Sequence, residues 1–557
     1  MITSLNKLTL PEMLQATFTR FPDKESLVFA GEESRTYKEL QNEVERLGSK
    51  LREFGIQKGD KVAILSVNMP NWGIAYFAIA SIGAVVVPVL PDFHPSEILN
   101  ILQHSGTKAI FASENLMSKL NLAKEDNPML KIIRIEDFQE LNVKALESVD
   151  VKFEYADVEE DDLLSIIYTS GTTGKSKGVM LSHKNITWLV NQCEYLQPID
   201  ENDSFLSILP LSHTFENSLG LIYPVSRGAS VHYLRKPPTA SVMLPALKIV
   251  RPTLMFAVPL IIEKVYKGKV LSEINSKSIT RFLYKFRPTQ KLLNKVAGKK
   301  LYETFGGRLK FFGVGGAKLD SKTERFLLDG KFPLAIGYGL TETSPLLAGA
   351  VGKNMKPRTT GIPLEGVRLR IANVDPATGE GEIQALGENV MKGYYLEPEL
   401  TAEAFTDDGW FKTGDLGKFD KNGLLYIHGR IKNMIVGSSG ENIYPEDIES
   451  VINGMEYVLE SLVIQQKGRL VAMVHLNMEE IEQRLKNMKQ RKEEAVQKLS
   501  ACVDEFNVRV DEILKEIQTH VNEQVNHFSK VQVVVLHPKP FEKTPTLKIK
   551  RFLYNKG

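Results

Sequence analysis

Residues 164–182, LSIIYTSGTTGKSKGVMLS, carry an apolar run that ends in a loop of glycine, hydroxyl and lysine residues. The apolar run has the composition of a buried strand. Glycines in the loop allow backbone N–H groups to turn toward a ligand, while hydroxyls and lysines supply hydrogen bonds and positive charge. The loop therefore predicts a polyphosphate site, although a mobile surface turn has a similar composition. The candidate ligands are Thr169, Ser170, Gly171, Thr172, Thr173, Gly174, Lys175 and Lys177.

Two common nucleotide-binding patterns do not fit the sequence. The P-loop pattern needs a glycine five residues before Gly174, where Thr169 stands. The dinucleotide fingerprint needs a third glycine after each Gly-x-Gly pair, and Lys318 and Glu342 occupy those positions. Neither a GTPase-like nor an NAD-type site is supported.

Short β-branched runs alternate with helical patterns as far as about residue 430. Such alternation predicts an α/β fold built from crossover units, with mostly parallel sheets. The expected strands are 61–66, 84–89, 108–112, 131–135, 163–168, 204–209, 230–233 and 254–258.

Residues 72–90 contain no charge, and their number approaches the roughly 20 needed to cross a bilayer. We expect buried core instead. Asn71 would cap a helix that Gly83 ends, and the valines at 85–87 would form an interior strand.

The composition is that of a large globular protein, because 43% of the 557 residues are hydrophobic and 25% are charged. A net charge of +2 indicates no nucleic-acid partner. With only Cys193 and Cys502, a disulfide framework and a four-cysteine zinc site are excluded, which favours a reducing compartment. The first residues show no basic and apolar leader, so a cytoplasmic location is expected.

The sequence changes character near residue 430, after a Gly- and Asp-rich stretch that predicts turns between short antiparallel strands. We expect a large N-terminal body of several subdomains at 1–430 and a small α+β C-terminal domain at 431–557. Apolar residues spaced three and four apart over 479–528 predict one long helix or a helical pair. We favour packing of this segment on its own domain over oligomerisation or membrane docking.

Six landmarks, in one order, resemble the signatures of the adenylate-forming superfamily, which includes acyl-CoA synthetases, peptide-synthetase adenylation domains and beetle luciferases. They are the glycine loop, 209–216 (LPLSHTFE), 315–317 (GGA), 337–343 (GYGLTET), 409–417 (GWFKTGDLG) with 429–432 (GRIK), and 544–551 (TPTLKIKR). The HTFE and TPTLK segments are more similar to long-chain fatty acid:CoA ligases than to aryl or acetyl ones. The resemblance also implies that the C-terminal domain is mobile.

The resemblance implies an ATP- and Mg²⁺-dependent reaction in which a carboxylate forms acyl-AMP and a thiol then displaces AMP. Glu342 would bind Mg²⁺, a hard cation that prefers oxygen ligands. Thr341 would contact the α-phosphate, and His213 would line or gate the passage where the thiol meets acyl-AMP. The implied nucleotide ligands outside the glycine loop are Gly316, Ala317, Lys318, Tyr338, Gly339, Thr341, Asp415 and Arg430.

Lys548 is the implied catalytic lysine, whose charge would offset the repulsion between the substrate carboxylate and the α-phosphate. The family usually has glycine before this lysine, and Leu547 stands there in this chain. Lys550 is a rival, because residues two apart share one face of an extended segment. Lys432 falls at the implied hinge, about which the C-terminal domain would turn to present residues 437–442 in the second half-reaction.

The expected activity is therefore the activation of a fatty acid, preferably of long chain, with CoA as the acyl acceptor. Two alternatives stay open: transfer to an acyl carrier protein, and a non-catalytic acyl-nucleotide-binding scaffold. Peripheral contact with the inner face of a membrane and oligomerisation through 479–528 are also open.

Overall fold

The computed structural model describes residues 5–140, 153–170, 176–437, 441–490, 502–544 and 549–554. Residues 438–440 of the predicted 437–442 loop lie outside these ranges. So do six predicted site residues: Gly171, Thr172, Thr173, Gly174, Lys175 and Lys548.

One eight-stranded sheet, named here the loop sheet, contains the two strands that flank the glycine loop. Five consecutive strands of this sheet, from Leu163–Ser170 to Lys131–Arg134, pair in parallel, while antiparallel pairs occur at both edges. In spatial order the strands are Gly393–Tyr394, Ser176–Ser182, Leu163–Ser170, Val85–Val89, Lys61–Leu65, Ala109–Ala112, Lys131–Arg134 and Gln139–Glu140.

A second eight-stranded sheet, named here the cavity sheet, has six parallel strands followed by two antiparallel ones. In spatial order they are Leu27–Phe29, Ser230–Tyr233, Ser204–Leu206, Leu254–Ala257, Phe311–Val314, Leu334–Tyr338, Ala348–Ala350 and Ile362–Pro363. The predicted α/β fold with mostly parallel sheets is confirmed.

All eight predicted strands are present, and their ends differ from the prediction by three residues at most. The largest extension concerns the glycine loop. Its flanking strands form an antiparallel hairpin in which Thr169 pairs with Lys177 and Ser170 with Ser176. The predicted ligand Lys177 therefore lies in the returning strand and not in the loop, because the hairpin pairing continues through it.

Helices connect the strands and cover the sheets. Alternate residues of the loop-sheet strands enter two different apolar clusters, with Val62 and Ile64 in one and Ala63 and Leu65 in the other. This sheet is therefore buried on both faces. The α-helices before residue 430 are Leu10–Arg20, Tyr37–Glu53, Pro70–Ser81, Pro95–Ser105, Asn121–Asp126, His183–Leu196, Tyr223–Ser226, Ala240–Val250, Pro259–Val265, Ser272–Ser276, Ser278–Leu283, Arg287–Thr304, Ser321–Asp329 and Pro398–Ala404.

The uncharged stretch at 72–90 is core: helix Pro70–Ser81 and strand Val85–Val89 are buried throughout, apart from Asn71. The prediction that Asn71 caps the helix was wrong. The cap is Met69, since Pro70 lacks an N–H and suits the first helical position. The Asn71 amide instead donates to the carbonyls of Ile135 and Glu136, each at 2.8 Å. Within the described ranges, the helices are too short or too polar to span a membrane.

An antiparallel sheet and a smaller α+β part follow the two large sheets. The four-stranded sheet consists of Arg368–Ala372, Gly381–Leu386, Phe411–Phe419 and Leu425–Arg430. Part of the stretch predicted as turns belongs to the nine-residue strand Phe411–Phe419, where Phe411, Thr413 and Asp415 are buried on one face. The elements beyond it are strands Ile435–Val436 and Asn442–Ile443, helix Pro445–Asn453, strands Val458–Gln466, Arg469–Leu476 and Val533–Leu536, and helices Met478–Gln490 and Cys502–Gln524.

The predicted helical segment at 479–528 contains two described helices, while residues 491–501 lie outside the described ranges. Ile481 from the first helix, and Val510, Ile513, Ile517 and Val521 from the second, are buried in the same apolar cluster as the strands beside them. The segment therefore packs its apolar face on its own part of the chain.

A fragment of residues 1–430 is expected to fold alone. The apolar clusters of the two large sheets end at Ile427, and those of the C-terminal part begin at Ile435, so among the described residues no apolar cluster spans the predicted boundary. Cooperative thermal unfolding of the purified fragment, followed by circular dichroism, would check this. Aggregation or a broad, non-cooperative transition would contradict the boundary near residue 430.

Candidate active site

A charged cluster joins the strand after the glycine loop to the predicted metal ligand. The Lys177 ammonium lies 3.2 Å from Glu342 Oε1, and the Tyr394 hydroxyl donates to the same oxygen at 2.9 Å. Lys177 also contacts the Tyr394 hydroxyl and lies 3.8 Å from the centre of its ring. Strand Gly393–Tyr394 pairs with Val179 and Met180, which holds Tyr394 beside the hairpin.

Glu342 is buried and is held in its ionised form. Burial alone would raise the pKa of its carboxyl, but the Lys177 charge and the hydrogen bond from Tyr394 outweigh it and leave the pKa lowered. A single ionised carboxylate fits Mg²⁺, which commonly binds through one or two carboxylates together with substrate phosphates. Among the described residues no cluster of three or more His, Cys, Asp or Glu side chains forms a metal site. Any metal here would rely on oxygens from the nucleotide.

The described ends of the glycine loop lie beside this cluster. Thr169 and Ser170 end one strand of the hairpin, and Lys177 belongs to the returning strand. The Thr169 hydroxyl is buried and has no hydrogen-bond partner among the described residues. It is a polar group available to a ligand.

Three predicted nucleotide ligands form a second polar group. The Tyr338 hydroxyl donates to Asp415 Oδ2 at 2.8 Å, and Arg430 Nε lies 2.8 Å from Asp415 Oδ1. Asp415 and Arg430 are directly opposite each other on adjacent strands, so the register of the antiparallel sheet creates the pair. Burial opposes the charge on Arg430, yet Asp415, Tyr338 and Glu342 together raise its pKa. The two polar groups are thus electrostatic neighbours.

The remaining predicted nucleotide ligands occupy turns at the ends of cavity-sheet strands. Gly316, Ala317 and Lys318 are exposed and follow strand Phe311–Val314. Lys318 forms an ion pair with Asp447 of helix Pro445–Asn453, so its charge is directed toward the C-terminal part. Gly339 and Thr341 follow strand Leu334–Tyr338, and Gly339 is tightly packed, because an added Cβ would lie 1.8 Å from the Pro345 carbonyl oxygen.

His213 is half-buried, and its Nδ1 accepts a hydrogen bond from the Phe215 N–H at 3.2 Å. Phe215 packs edge-on against Phe256, with ring centres 5.0 Å apart, and both rings line an apolar cavity. The structure therefore connects His213 to the cavity through Phe215.

The apolar cavity lies between the cavity sheet and the helices at 183–196 and 216–226. Residues of strands Leu254–Ala257, Phe311–Val314 and Leu334–Tyr338 form one wall of the cavity, and the lining reaches Val314 and Gly337 near the carboxyl ends of the last two. Its volume is about 40 Å³, so lining side chains would have to move to admit a long acyl chain. The lining residues are Cys193, Leu196, Gln197, Phe205, Phe215, Leu219, Tyr223, Leu254, Phe256, Phe311, Gly313, Val314, Ala335, Ile336, Gly337, Leu346 and Val351.

Glu216 follows Phe215 and is a buried carboxyl. It accepts a hydrogen bond from the Ser207 hydroxyl at 2.6 Å, and burial raises its pKa to about 8. Its second oxygen has no partner among the described residues. Glu216 is therefore neutral at pH 7 and can act as a hydrogen-bond donor.

The predicted hinge and the rival lysine are both described. Lys432 lies in the 3₁₀ turn Ile431–Asn433, between the antiparallel sheet and the first strand of the C-terminal part. The Lys550 N–H donates to the Glu542 carbonyl at 2.8 Å. The roles of both residues stay predictions.

Sequence reasoning missed Tyr394, which contacts both Lys177 and Glu342, and Asn389, whose buried amide donates to the carbonyls of Thr343 and Leu346 at 3.0 and 2.7 Å. Asn389 thereby supports the turn that carries Glu342. A tyrosine following glycine in a short strand gave no signal by itself. The pairing of strand Gly393–Tyr394 with the hairpin is what reveals it.

The geometry defines a two-part α/β protein in which a nucleotide-type polar site adjoins an apolar cavity. A family model described as AMP-binding enzyme matches residues 14–395. The chain belongs to this family, and the predicted superfamily is confirmed.

Curated relatives and solved structures agree with this assignment. Long chain acyl-CoA synthetase 1 of Arabidopsis thaliana is 30% identical, over 93% of this chain and 85% of the relative. Long-chain-fatty-acid–CoA ligase FadD15 of Mycobacterium bovis is 28% identical, over 93% and 89%.

Among solved structures, the o-succinylbenzoate coenzyme A synthetase of Bacillus subtilis in complex with AMP has a TM-score of 0.75 at 22% identity, with 98% of each chain covered. The anthranilate CoA ligase AuaEII in complex with anthranoyl-AMP has a TM-score of 0.77 at 20% identity, with 98% and 96% covered. At these identities the similarity establishes the fold.

Replacing Tyr394 by phenylalanine is expected to lower kcat/KM for ATP roughly tenfold, because a hydrogen bond to a charged group is lost. The measurement is acid-dependent pyrophosphate release. Tyr395→Phe is the matched control, because the neighbouring Tyr395 ring contacts His104 and Lys61 instead of Glu342. Equal effects of the two substitutions would refute a role for Tyr394 in positioning Glu342.

Glu216→Gln is expected to leave stability near pH 5 almost unchanged and to raise it at pH 8. The folded state keeps Glu216 protonated up to about pH 8, whereas an exposed glutamate ionises near 4.5. The contribution of the Glu216 carboxyl to folding stability is therefore complete below about pH 4.5 and is lost as the pH rises to 8, because ionisation then favours the unfolded state. Thermal unfolding of the wild type and variant across this range checks the prediction, with exposed Glu399→Gln as the control. A Glu216→Gln curve parallel to that of the wild type would contradict it.

Proposed function

We propose that the protein activates a fatty acid with ATP through acyl-AMP and transfers the acyl group to the thiol of CoA. One observation carries the proposal: strand Leu334–Tyr338 has Gly337 on the apolar cavity, while the next residue, Tyr338, belongs to the polar group with Asp415 and Arg430. An apolar acyl chain and a nucleotide would thus meet at a single strand end. The names of the relatives, long-chain acyl-CoA synthetase and long-chain-fatty-acid–CoA ligase, support the same activity.

The reaction has two steps. A carboxylate oxygen attacks the α-phosphorus of ATP, and the bond from that phosphorus to pyrophosphate breaks. The CoA sulfur then attacks the acyl carbon, the bond from that carbon to the AMP oxygen breaks, and the thiol loses its proton. The first step brings the carboxylate and the α-phosphate together, both of them anions, so positive charge near the α-phosphate lowers its barrier.

We assign the described residues to these steps as follows. Tyr338 would offer a flat face to adenine while its hydroxyl holds Asp415, and Asp415 and Arg430 would contact the ribose hydroxyls. Thr341 would contact the α-phosphate. His213 would line the thiol passage through its contact with Phe215.

Glu342 would hold Mg²⁺, which would supply positive charge to the phosphate oxygens. Lys177 forms an ion pair with Glu342 in the present structure, and we propose that Lys177 contacts a phosphate instead when the nucleotide binds. The other proposed phosphate ligands are Thr169 to Lys175 in the glycine loop. The turns beside Tyr338 would also contact the nucleotide, through Gly316, Ala317, Lys318 and Gly339.

The C-terminal part would turn about Lys432 between the two steps. This proposal is supported by the position of Lys432 between two sheets and by the absence of an apolar cluster, among the described residues, that spans 428–434.

An acceptor other than CoA, such as an acyl carrier protein, would use the same first step. Oligomerisation through 479–528 is disfavoured because the apolar face of that segment is buried, and we keep a cytoplasmic location as part of the proposal.

The function is tested by pyrophosphate and AMP release with fatty acids of increasing length, with CoA or acyl carrier protein as the acceptor. We expect release that depends on acid and magnesium, is greatest with long chains, and gives a thioester with CoA. A thioester formed only with the carrier protein would refute CoA as the acceptor. Nucleotide binding without AMP formation would favour the scaffold alternative and refute the proposed activity.

Lys548→Ala is expected to abolish acyl-AMP formation and to leave thioester formation from supplied acyl-AMP largely intact. The lysine would act only while the carboxylate and the α-phosphate meet, since no such repulsion exists in the second step. Lys550→Ala is the matched control, two residues away. Equal loss of both half-reactions, or loss only with Lys550→Ala, would refute the assignment.

A further inference from the structure

Residues 277–300, named here the basic-apolar segment, concentrate positive charge to a degree unlike the rest of the chain. The segment contains eight Lys and Arg residues and no Asp or Glu, giving +8, whereas the whole chain carries +2 and the remainder therefore −6. All eight basic side chains are exposed. Arg287 pairs with Asp329 and Lys300 with Glu273, while the other six have no acidic ion-pair partner among the described residues.

Large apolar side chains are exposed among these charges. Phe282 and Phe286 contact each other edge to face, with ring centres 5.3 Å apart. On helix Arg287–Thr304, Leu292 and Val296 form one ridge at i, i+4 spacing. The exposed fractions are 74% for Ile279, 60% for Phe282, 51% for Phe286, 63% for Leu292 and 65% for Val296.

The basic and apolar ridges of this helix are neighbours. Lys291, Lys295 and Lys299 also follow i, i+4 spacing, and the first two directly precede Leu292 and Val296. Exposed apolar groups next to lysines and arginines are typical of helices that lie in a membrane interface, where the apolar groups enter the headgroup boundary and the cations meet anionic lipids.

We infer that the basic-apolar segment docks the protein on an anionic phospholipid surface. A nucleic acid would satisfy the cations but would leave the exposed Ile, Leu, Val and Phe side chains without a role. A second copy joined through the same face would bring two surfaces of +8 together, which is electrostatically unfavourable. A lipid bilayer with anionic headgroups satisfies both the charge and the apolar groups.

The place of the segment in the fold gives this docking a use. It belongs to the crossover between strands Leu254–Ala257 and Phe311–Val314, and both strands line the apolar cavity. Docking would therefore hold the crossover that joins two cavity-lining strands at the phase in which fatty acids dissolve. This link to the cavity rests on the proposed function, whereas the docking itself does not.

The test is flotation of the full chain with vesicles of phosphatidylcholine alone and of phosphatidylcholine mixed with phosphatidylglycerol, without ATP or fatty acid. We expect binding to the anionic vesicles that weakens as salt rises, because surface charges are screened. The triple variant Lys291→Gln, Lys295→Gln, Lys299→Gln is expected to lose binding roughly tenfold or more. Leu292→Gln with Val296→Gln is also expected to lose binding, although it keeps every charge.

The matched control removes the same charge elsewhere: Lys124→Gln, Lys353→Gln and Lys421→Gln, all exposed, are expected to bind like the wild type. Circular dichroism verifies that each variant is folded. Failure of the wild type to bind anionic vesicles, or equal loss in the control, overturns the inference. Loss with the lysine variant but not with the Leu292 and Val296 variant, together with competition by duplex DNA, would indicate a nucleic-acid surface and also overturn it.

Pyrophosphate release with monomeric fatty acid separates this inference from the proposed function. Variants that no longer bind vesicles are expected to retain that release. Vesicle binding by a chain that forms no AMP would preserve the docking surface while refuting the activity.

Discussion

The ion pair between the partly exposed Lys177 and the buried Glu342 links the two large sheets at the site. Lys177 belongs to the hairpin of the loop sheet, and Glu342 follows a strand of the cavity sheet. A buried carboxylate left without a partner is strongly unfavourable, so Glu342 constrains where Lys177 lies. Tyr394 adds a hydrogen bond from an edge strand, and Asn389 supports the turn below Glu342. The relative placement of the glycine-loop hairpin and the second polar group depends on this arrangement.

The sequence predicted the architecture well because its signals are local. Runs of β-branched residues between helical patterns located all eight expected strands, and their burial follows from the apolar composition of those runs. Asn71 shows where local rules fail: its side chain favours a cap, but Pro70 begins the helix and two distant carbonyls bind the Asn71 amide. The Asn71 side chain therefore makes tertiary hydrogen bonds instead of capping the helix.

The site was predicted unevenly for a related reason. Tyr338, Asp415 and Arg430 were named from motif resemblance, and their contacts arise from strand register across sheets that no spacing in the sequence encodes. Tyr394 lies 217 residues from Lys177, and no residue near it signals the contact. Glu216 was named only as part of a motif. Its neutral state results from complete burial, which the sequence alone does not show.

The ion pair of Lys318 with Asp447 bears on the proposed rotation of the C-terminal part. It crosses from a turn of the cavity sheet to helix Pro445–Asn453, and the Tyr444 hydroxyl adds a 2.6 Å hydrogen bond to Glu380. Partly exposed ion pairs of this kind contribute about 0–1 kcal/mol each and are screened by salt. Under the proposed rotation about Lys432, these contacts would act as a weak electrostatic latch, so that a substrate with only modest preference for one orientation would shift the conformational equilibrium.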